Sequence, residues 1–174
     1  MEEVKILCGR DPVVKTPLPP YDDLVCDFLD AWSKELRKDK EAVGYADLQT
    51  FAFWIRKSSV QKKKQDHESR NRGRILLGRG TVFHIAPSNV PVNCLYTYVF
   101  GLLAGNSNIV RVPSKPFPQV ECACRVLQGL MELERFSVLA ERTCFVRYKR
   151  DEEITAEFSA RCNSRVIWGG DRTI

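Results

Sequence analysis

The chain has 174 residues, 44% of them apolar and 28% charged, and a net charge of +5. These values are ordinary for a soluble globular protein of roughly one domain with a buried core. No apolar run approaches the roughly 18 residues that span a bilayer, and the opening MEEVKILCGRDPVVK lacks the apolar stretch of a secretory signal.

Residues 1–20 are expected to be irregular, because Pro12, Pro17, Pro19 and Pro20 prevent a continuous helix. Asp22 and Asp23 then open an amphipathic helix with Leu24, Val25, Phe28, Leu29, Trp32 and Leu36 on one face. Gly44 breaks the pattern. A second helix starts near Asp47 and carries Leu48, Phe51, Ala52 and Ile55. Trp32, Phe53 and Trp54 read as core residues that join this helical pair to the rest.

The stretch from Arg56 to Arg74, with RKSSVQKKKQ and RNRGR, holds much of the positive charge. It reads first as a solvated, mobile linker, with continuation of the second helix before fraying as a variant of that reading. Attraction of anionic ligands such as phosphates, nucleotides or coenzyme A is the functional alternative. No aromatic-interleaved basic motif or zinc-finger spacing accompanies the charge, so nucleic acid is not the expected partner.

From Ile75 the grammar alternates between strand and helix. Strands are expected at TVFHIA (81–86), NIVRV (108–112), TCFVRY (143–148) and RVIW (165–168), with helices at 91–104, 116–136 and 151–161. Four strands separated by such helices imply right-handed crossovers and a parallel sheet. The expected organisation is a helical segment with a basic linker (1–74) and an α/β domain (75–174).

Three clusters carry candidate chemistry. In Pro87-Ser88-Asn89-Val90-Pro91, two prolines stiffen a strand-to-helix turn around Asn89, whose amide either donates to a developing oxyanion or caps the helix. In Gly105-Asn106-Ser107-Asn108-Ile109-Val110-Arg111, the Gly-Asn pair suits a helix end. Arg111 places a charge near the carboxyl end of a buried strand, where it needs a partner or a ligand. Ser114 and Lys115 follow in the same loop and suit ribose hydroxyls or an adenosine phosphate. In Trp168-Gly169-Gly170-Asp171, two glycines would let backbone approach a pyrophosphate, although any strand-to-helix turn can use them and Asp171 suits an N-cap. Neither GxGxxG nor GxxxxGK[ST] occurs.

The seven cysteines are scattered, form no CxxC pair and share the chain with two histidines, so no zinc site is expected and reduced thiols in a cytosolic protein are the simplest account. Cys94 reads as a packed thiol, and His84 as a satisfied core histidine.

Together, in this order and spacing, the three clusters resemble the aldehyde dehydrogenase superfamily, and more closely its acyl-CoA reductase branch, the LuxC-like fatty acyl reductases of bacterial luminescence. Pro87-Ser88-Asn89-Val90-Pro91 is similar to the superfamily's Pro-x-Asn-x-Pro turn, which implies that Asn89 donates to the thioester oxygen. Gly105-Asn106 with Arg111 resembles Gly-Asn-x4-Lys, with Arg for the usual Lys. Trp168-Gly169-Gly170 is similar to the family's turn over the pyrophosphate. The resemblance implies an aldehyde-dehydrogenase-like, parallel cofactor-binding fold, truncated here, with Arg111, Ser114, Lys115, Gly169 and Gly170 at the cofactor. Ser114 stands where the family often has a ribose-binding acid, which favours NADPH over NADH.

The resemblance covers residues 45–174 and implies an N-terminal portion of a reductase that converts acyl thioester to aldehyde. The family's catalytic cysteine and glutamate lie further along, so the isolated chain is expected to be inactive. The implied partners are acyl-CoA or another acyl donor and acyl-transferring and acyl-activating subunits, with a homo-oligomer at full length, in the cytoplasm. The alternatives are a semialdehyde dehydrogenase of the same superfamily and a non-catalytic nucleotide-binding or interaction fragment.

Overall fold

The computed structural model describes residues 4–11 and 13–169; Pro12, Gly170 and Asp171 lie outside the described residues. One sheet contains β1 (Lys5–Gly9), β2 (Thr81–Ile85), β3 (Ser107–Arg111), β4 (Thr143–Arg147) and β5 (Ser164–Ile167), in the spatial order β1-β4-β3-β2-β5. The helices are α1 (Asp23–Lys38), α2 (Ala46–Trp54), α3 (Lys57–Arg70), α4 (Asn93–Leu103), α5 (Pro118–Met131), α6 (Ser137–Ala140) and α7 (Glu152–Arg161). None of the described helices is long and apolar enough to cross a membrane.

Strands β2 to β5 are parallel, as the alternation of strand and helix implies. The sheet is nevertheless mixed, because β1 adds antiparallel to β4 at the edge. The expectation of an irregular segment before residue 20 is corrected here. Its prolines begin only at position 12, so KILCG is free to extend and to bury Cys8 against the sheet.

The helical segment follows its apolar spacing except at Phe53, which is exposed under the Arg56 guanidinium rather than in the core. The Asp22 side chain caps α1 by accepting from the Leu24 N–H at 3.0 Å. Val25, Phe28, Leu29, Trp32 and Leu36 are fully buried. They join residues of α2, α4 and α5 in one apolar cluster that also takes Val110 and Phe145 from the sheet. A smaller cluster on the opposite sheet face contains Phe83, Ile109, Cys144, Val146 and Tyr148, covered by Phe158 of α7.

The basic stretch is also corrected, since residues 57–70 form a helix rather than a mobile linker. Val60 is buried, the Lys57 N–H donates to Asp30 at 3.0 Å, and Lys64 pairs with Asp23 at 2.6 Å. Acidic groups of α1 thus neutralise part of the run and hold it against the molecule.

Just beyond α1, Asp39 accepts from the N–H groups of Glu41 and Ala42 and from two nitrogens of Arg125, all at 3.0 Å. The Arg125 guanidinium, followed by the Ala42 N–H, holds the Asp39 carboxyl far below the usual carboxylate range. A depressed folded-state pKa contributes stability above the unfolded value of about 3.9 and loses it as pH falls through the folded value. Arg125→Ala should therefore lower stability at pH 7, by about 1 kcal/mol or less because the pair is partly exposed. The deficit should shrink below about pH 4. Urea unfolding of both proteins at pH 7 and pH 3 checks the sign, and an equal deficit at both values would contradict it.

Helix α4 is buried on most of its surface, since Cys94, Leu95, Thr97, Tyr98, Val99, Leu102 and Leu103 all face protein. It rests on β2 and β3 through Gly101, where an added Cβ would meet Asn108 Oδ1 at 1.9 Å and His84 Nε2 at 2.8 Å. The helix ends as its sequence implies, with Gly105 at φ +83° just beyond it.

Candidate functional site

After β2 the chain crosses to β3 and then β4, and later returns to add β5 on the far side of β2. The direction of winding therefore reverses between β2 and β5. In open α/β sheets, ligands bind at the carboxyl ends of the strands beside such a switch. A cleft of about 790 Å³ opens there. Its walls are Pro87, Ser88 and Asn89 after β2, Arg111 and Ser114 at the end of β3, Arg150 and the first turn of α7, and Trp168 and Gly169 after β5.

The structure thus brings Asn89, Arg111, Ser114 and Gly169 into one cleft. Lys115 is not in its wall; its ammonium lies 5.7 Å from the Phe117 ring centroid. Gly170 is outside the described residues.

Asn89 lies on an exposed turn, and its amide has no hydrogen-bond partner among the described residues. It does not cap the following helix, because α4 begins at Asn93 and Val92 occupies the N-cap without a side-chain bond. The amide is therefore unspent at a helix N-terminus that carries no acidic residue in its first turn.

Arg111 is the last residue of β3, and its guanidinium sits over the Tyr148 ring, 4.6 Å from the centroid. Its Nε is buried without a hydrogen-bond partner. Stacking satisfies the flat face of the group while the edge keeps donors to offer, which suits recognition of a phosphate or ribose oxygen.

Sequence reasoning began a helix at Asp151 but did not bring Arg150, Arg165 or the first turn of α7 to the site. Arg150 directly precedes Asp151, the N-cap of α7, whose carboxylate accepts from the Ile154 N–H at 2.9 Å. The cleft therefore holds three arginines, while one of its two carboxylates is engaged in capping. The available signal was Arg150 next to a recognisable N-cap after a strand, because such a loop lies at the same end of the sheet as Asn89 and Arg111.

Behind the cleft, His84 is a satisfied core histidine bonded on both ring nitrogens, to Thr97 at 2.7 Å and Asn108 at 2.9 Å. Burial pulls its pKa down to about 4, so the ring is neutral. No cysteine lines the cleft among the described residues. Burial pushes the Cys94 thiol well above its usual value, and its Sγ donates to the Pro91 carbonyl at 3.1 Å. Cys122 groups with Asp39 and Glu41 on the far surface, but Arg125 pairs with both carboxylates there. A second groove of about 890 Å³ runs between α1 and α5, away from the strand ends, lined by ion-paired side chains such as Lys34 and Arg125.

A family model described as acyl-CoA reductase (LuxC) matches residues 58–174, which include every residue of the cleft wall. Neither the curated proteins nor the solved structures contain a match.

Proposed function

Because the chain belongs to the acyl-CoA reductase (LuxC) family, we propose that the switch-point cleft holds NADPH and that the chain is the N-terminal portion of an enzyme reducing long-chain acyl thioesters to aldehydes. The fold in this reading is the cofactor-binding domain of the aldehyde dehydrogenase superfamily. The observation that carries the proposal is Arg111, a stacked guanidinium with a buried, unpartnered Nε at the carboxyl end of a parallel strand. An orphaned donor of this kind is costly unless an anionic or oxygen-rich ligand completes it.

Arg111 and Ser114 take the adenosine ribose, and Arg150 adds a second cation for a 2′-phosphate. Lys115, outside the cleft wall but next to Ser114 in the chain, adds positive charge to the same loop. Gly169 brings backbone close to the pyrophosphate, a role that the family resemblance extends to Gly170. When bound, the cofactor supplies the hydride. Asn89 donates its amide hydrogen to the carbonyl oxygen of the acyl group and stabilises the negative charge that develops there. The acyl-accepting thiol and the acid–base glutamate belong to the remainder of the enzyme. Acyl-CoA or another acyl donor, acyl-transferring and acyl-activating subunits, a homo-oligomeric assembly and a cytoplasmic setting complete the proposal.

Titration of the chain with NADPH and NADH, followed by calorimetry, tests the cofactor site. NADPH should bind more tightly than NADH. Arg111→Ala should weaken NADPH binding by about tenfold to a hundredfold, the worth of charge-assisted hydrogen bonds. Equal affinity of the variant and the parent chain would remove Arg111 from the site.

The lack of a thiol in the cleft wall among the described residues favours a second reading for the isolated chain, as a module that binds nucleotide without turnover. Aldehyde formation from acyl-CoA by this chain alone would exclude that reading.

A further inference from the structure

Trp168 sits where β5 ends, with its backbone N–H bonded to the Ile85 carbonyl at 3.1 Å, and the residue is 40% exposed in the cleft wall. A half-exposed ring after a strand ordinarily has rotamer freedom. Here the indole Nε1 reaches inward to Thr97 Oγ1 on α4, at 3.0 Å. Thr97 Oγ1 lies 2.7 Å from His84 Nδ1, and His84 Nε2 lies 2.9 Å from Asn108 Oδ1. The Asn108 amide nitrogen donates onward to the Asn106 carbonyl at 3.0 Å. Thr97, His84 and Asn108 are almost completely buried.

The direction of each bond in this chain is fixed. The Asn108 nitrogen is used on a carbonyl, so its oxygen accepts and His84 Nε2 carries the proton. The buried ring is neutral, which leaves Nδ1 as an acceptor, so the Thr97 hydroxyl must donate to it. The Thr97 lone pairs then face Trp168, whose indole N–H can only donate. Gly101 makes the arrangement possible, because any side chain there would collide with both His84 and Asn108.

We infer that Thr97 and His84 are positioning residues of the cleft, which lock the Trp168 indole in place as the fixed wall beside Gly169 against which the nucleotide packs. The inference rests on the proposed cofactor site. It adds to that site a device reaching from the cleft wall through α4 to the interior of β3.

The test uses the indole N–H signals of the three tryptophans in a ¹⁵N-labelled chain, with Trp168 assigned by its loss in Trp168→Phe. The Trp168 N–H should exchange slowly with solvent despite the exposed ring. Thr97→Val should shift that signal, abolish its protection and weaken NADPH binding by about fivefold to tenfold, the range of one hydrogen bond. Thr97→Ser, which keeps the hydroxyl, should restore both. A fast-exchanging Trp168 N–H in the parent chain overturns the bond. A released N–H in Thr97→Val with unchanged affinity overturns the positioning role. A protected N–H in a parent chain that binds no NADPH overturns the cofactor reading, and the wall's role with it. Should Thr97→Val fail to fold, Trp168→Phe carries the affinity test, since it keeps a ring but has no donor. Parent-like NADPH affinity in Trp168→Phe then overturns the role.

Discussion

Under the proposed oxyanion role, replacing Asn89 with alanine in the active enzyme should lower turnover of acyl-CoA by about 10²–10³-fold, the usual cost of removing one oxyanion donor. Pro87 and Pro91 restrict the turn on either side of Asn89, and its amide is spent neither on capping α4 nor on any described neighbour. Its donor is therefore free for a substrate oxygen, and little rearrangement is needed when charge develops there. Asn89→Asp should be at least as damaging, because a carboxylate offers no donor and repels the oxyanion. NADPH affinity should survive both changes, since the proposed cofactor contacts are made by Arg111 and Gly169 rather than by Asn89. Steady-state kinetics alongside cofactor titration checks this, and a folded Asn89→Ala enzyme with parental turnover would exclude the role.

The second large effect concerns the fold. Trp32→Ala should destabilise the chain by about 3–5 kcal/mol, the range for truncating a buried aromatic side chain. Trp32 is completely buried where α1, α2 and α4 meet, edge-on to Phe51 at 5.0 Å and to Tyr98 at 6.0 Å. Tyr98 in turn touches Phe145 of β4 at 5.0 Å, so this aromatic series links the helical segment to the sheet. The indole Nε1 of Trp32 has no hydrogen-bond partner, so the loss is one of packing, and Trp32→Phe should be far milder. Urea unfolding followed by both far-ultraviolet and near-ultraviolet circular dichroism measures the effect. Coincident transitions that shift together in Trp32→Ala are expected for a shared core. A sheet that melts independently of the mutation would mean that the two parts fold separately.

The local rules that succeeded in the sequence were those with a strong period or a special residue. The apolar face of α1, its Asp22 cap, the Gly105 helix end and the four parallel strands all follow from spacing and turn chemistry. Strand β1 was hidden because five residues give no clear period, and its pairing with β4 links positions far apart in the chain. The basic run concealed a helix because only Val60 marks its buried face, and the acids that hold it lie on another helix. Asn89, Arg111 and Gly169 were legible because they sit at strand ends, which topology gathers into one place. The Trp168–Thr97–His84–Asn108 chain was not legible, since its members come from three elements and the turn after β5 and meet only through tertiary packing.

The buried thiols have a practical consequence for following the molecule in solution. Burial raises Cys122 and Cys144 to about 12 and drives Cys94 well above its usual value, and the hydrogen bond with Cys8, followed by burial, does the same for Cys124, so at neutral pH these four are almost wholly protonated and sealed from reagents. Cys94 lies in α4, Cys122 and Cys124 in α5, and Cys144 in β4, so they sample both the helical layer and the centre of the sheet. Alkylation at each position is then gated by opening of its surroundings, and peptide-resolved labelling rates become a native set of clocks for local unfolding. The chain carries these reporters without any engineered probe, and binding of a nucleotide in the cleft would be registered as a slowing of whichever clocks sit in the elements it steadies.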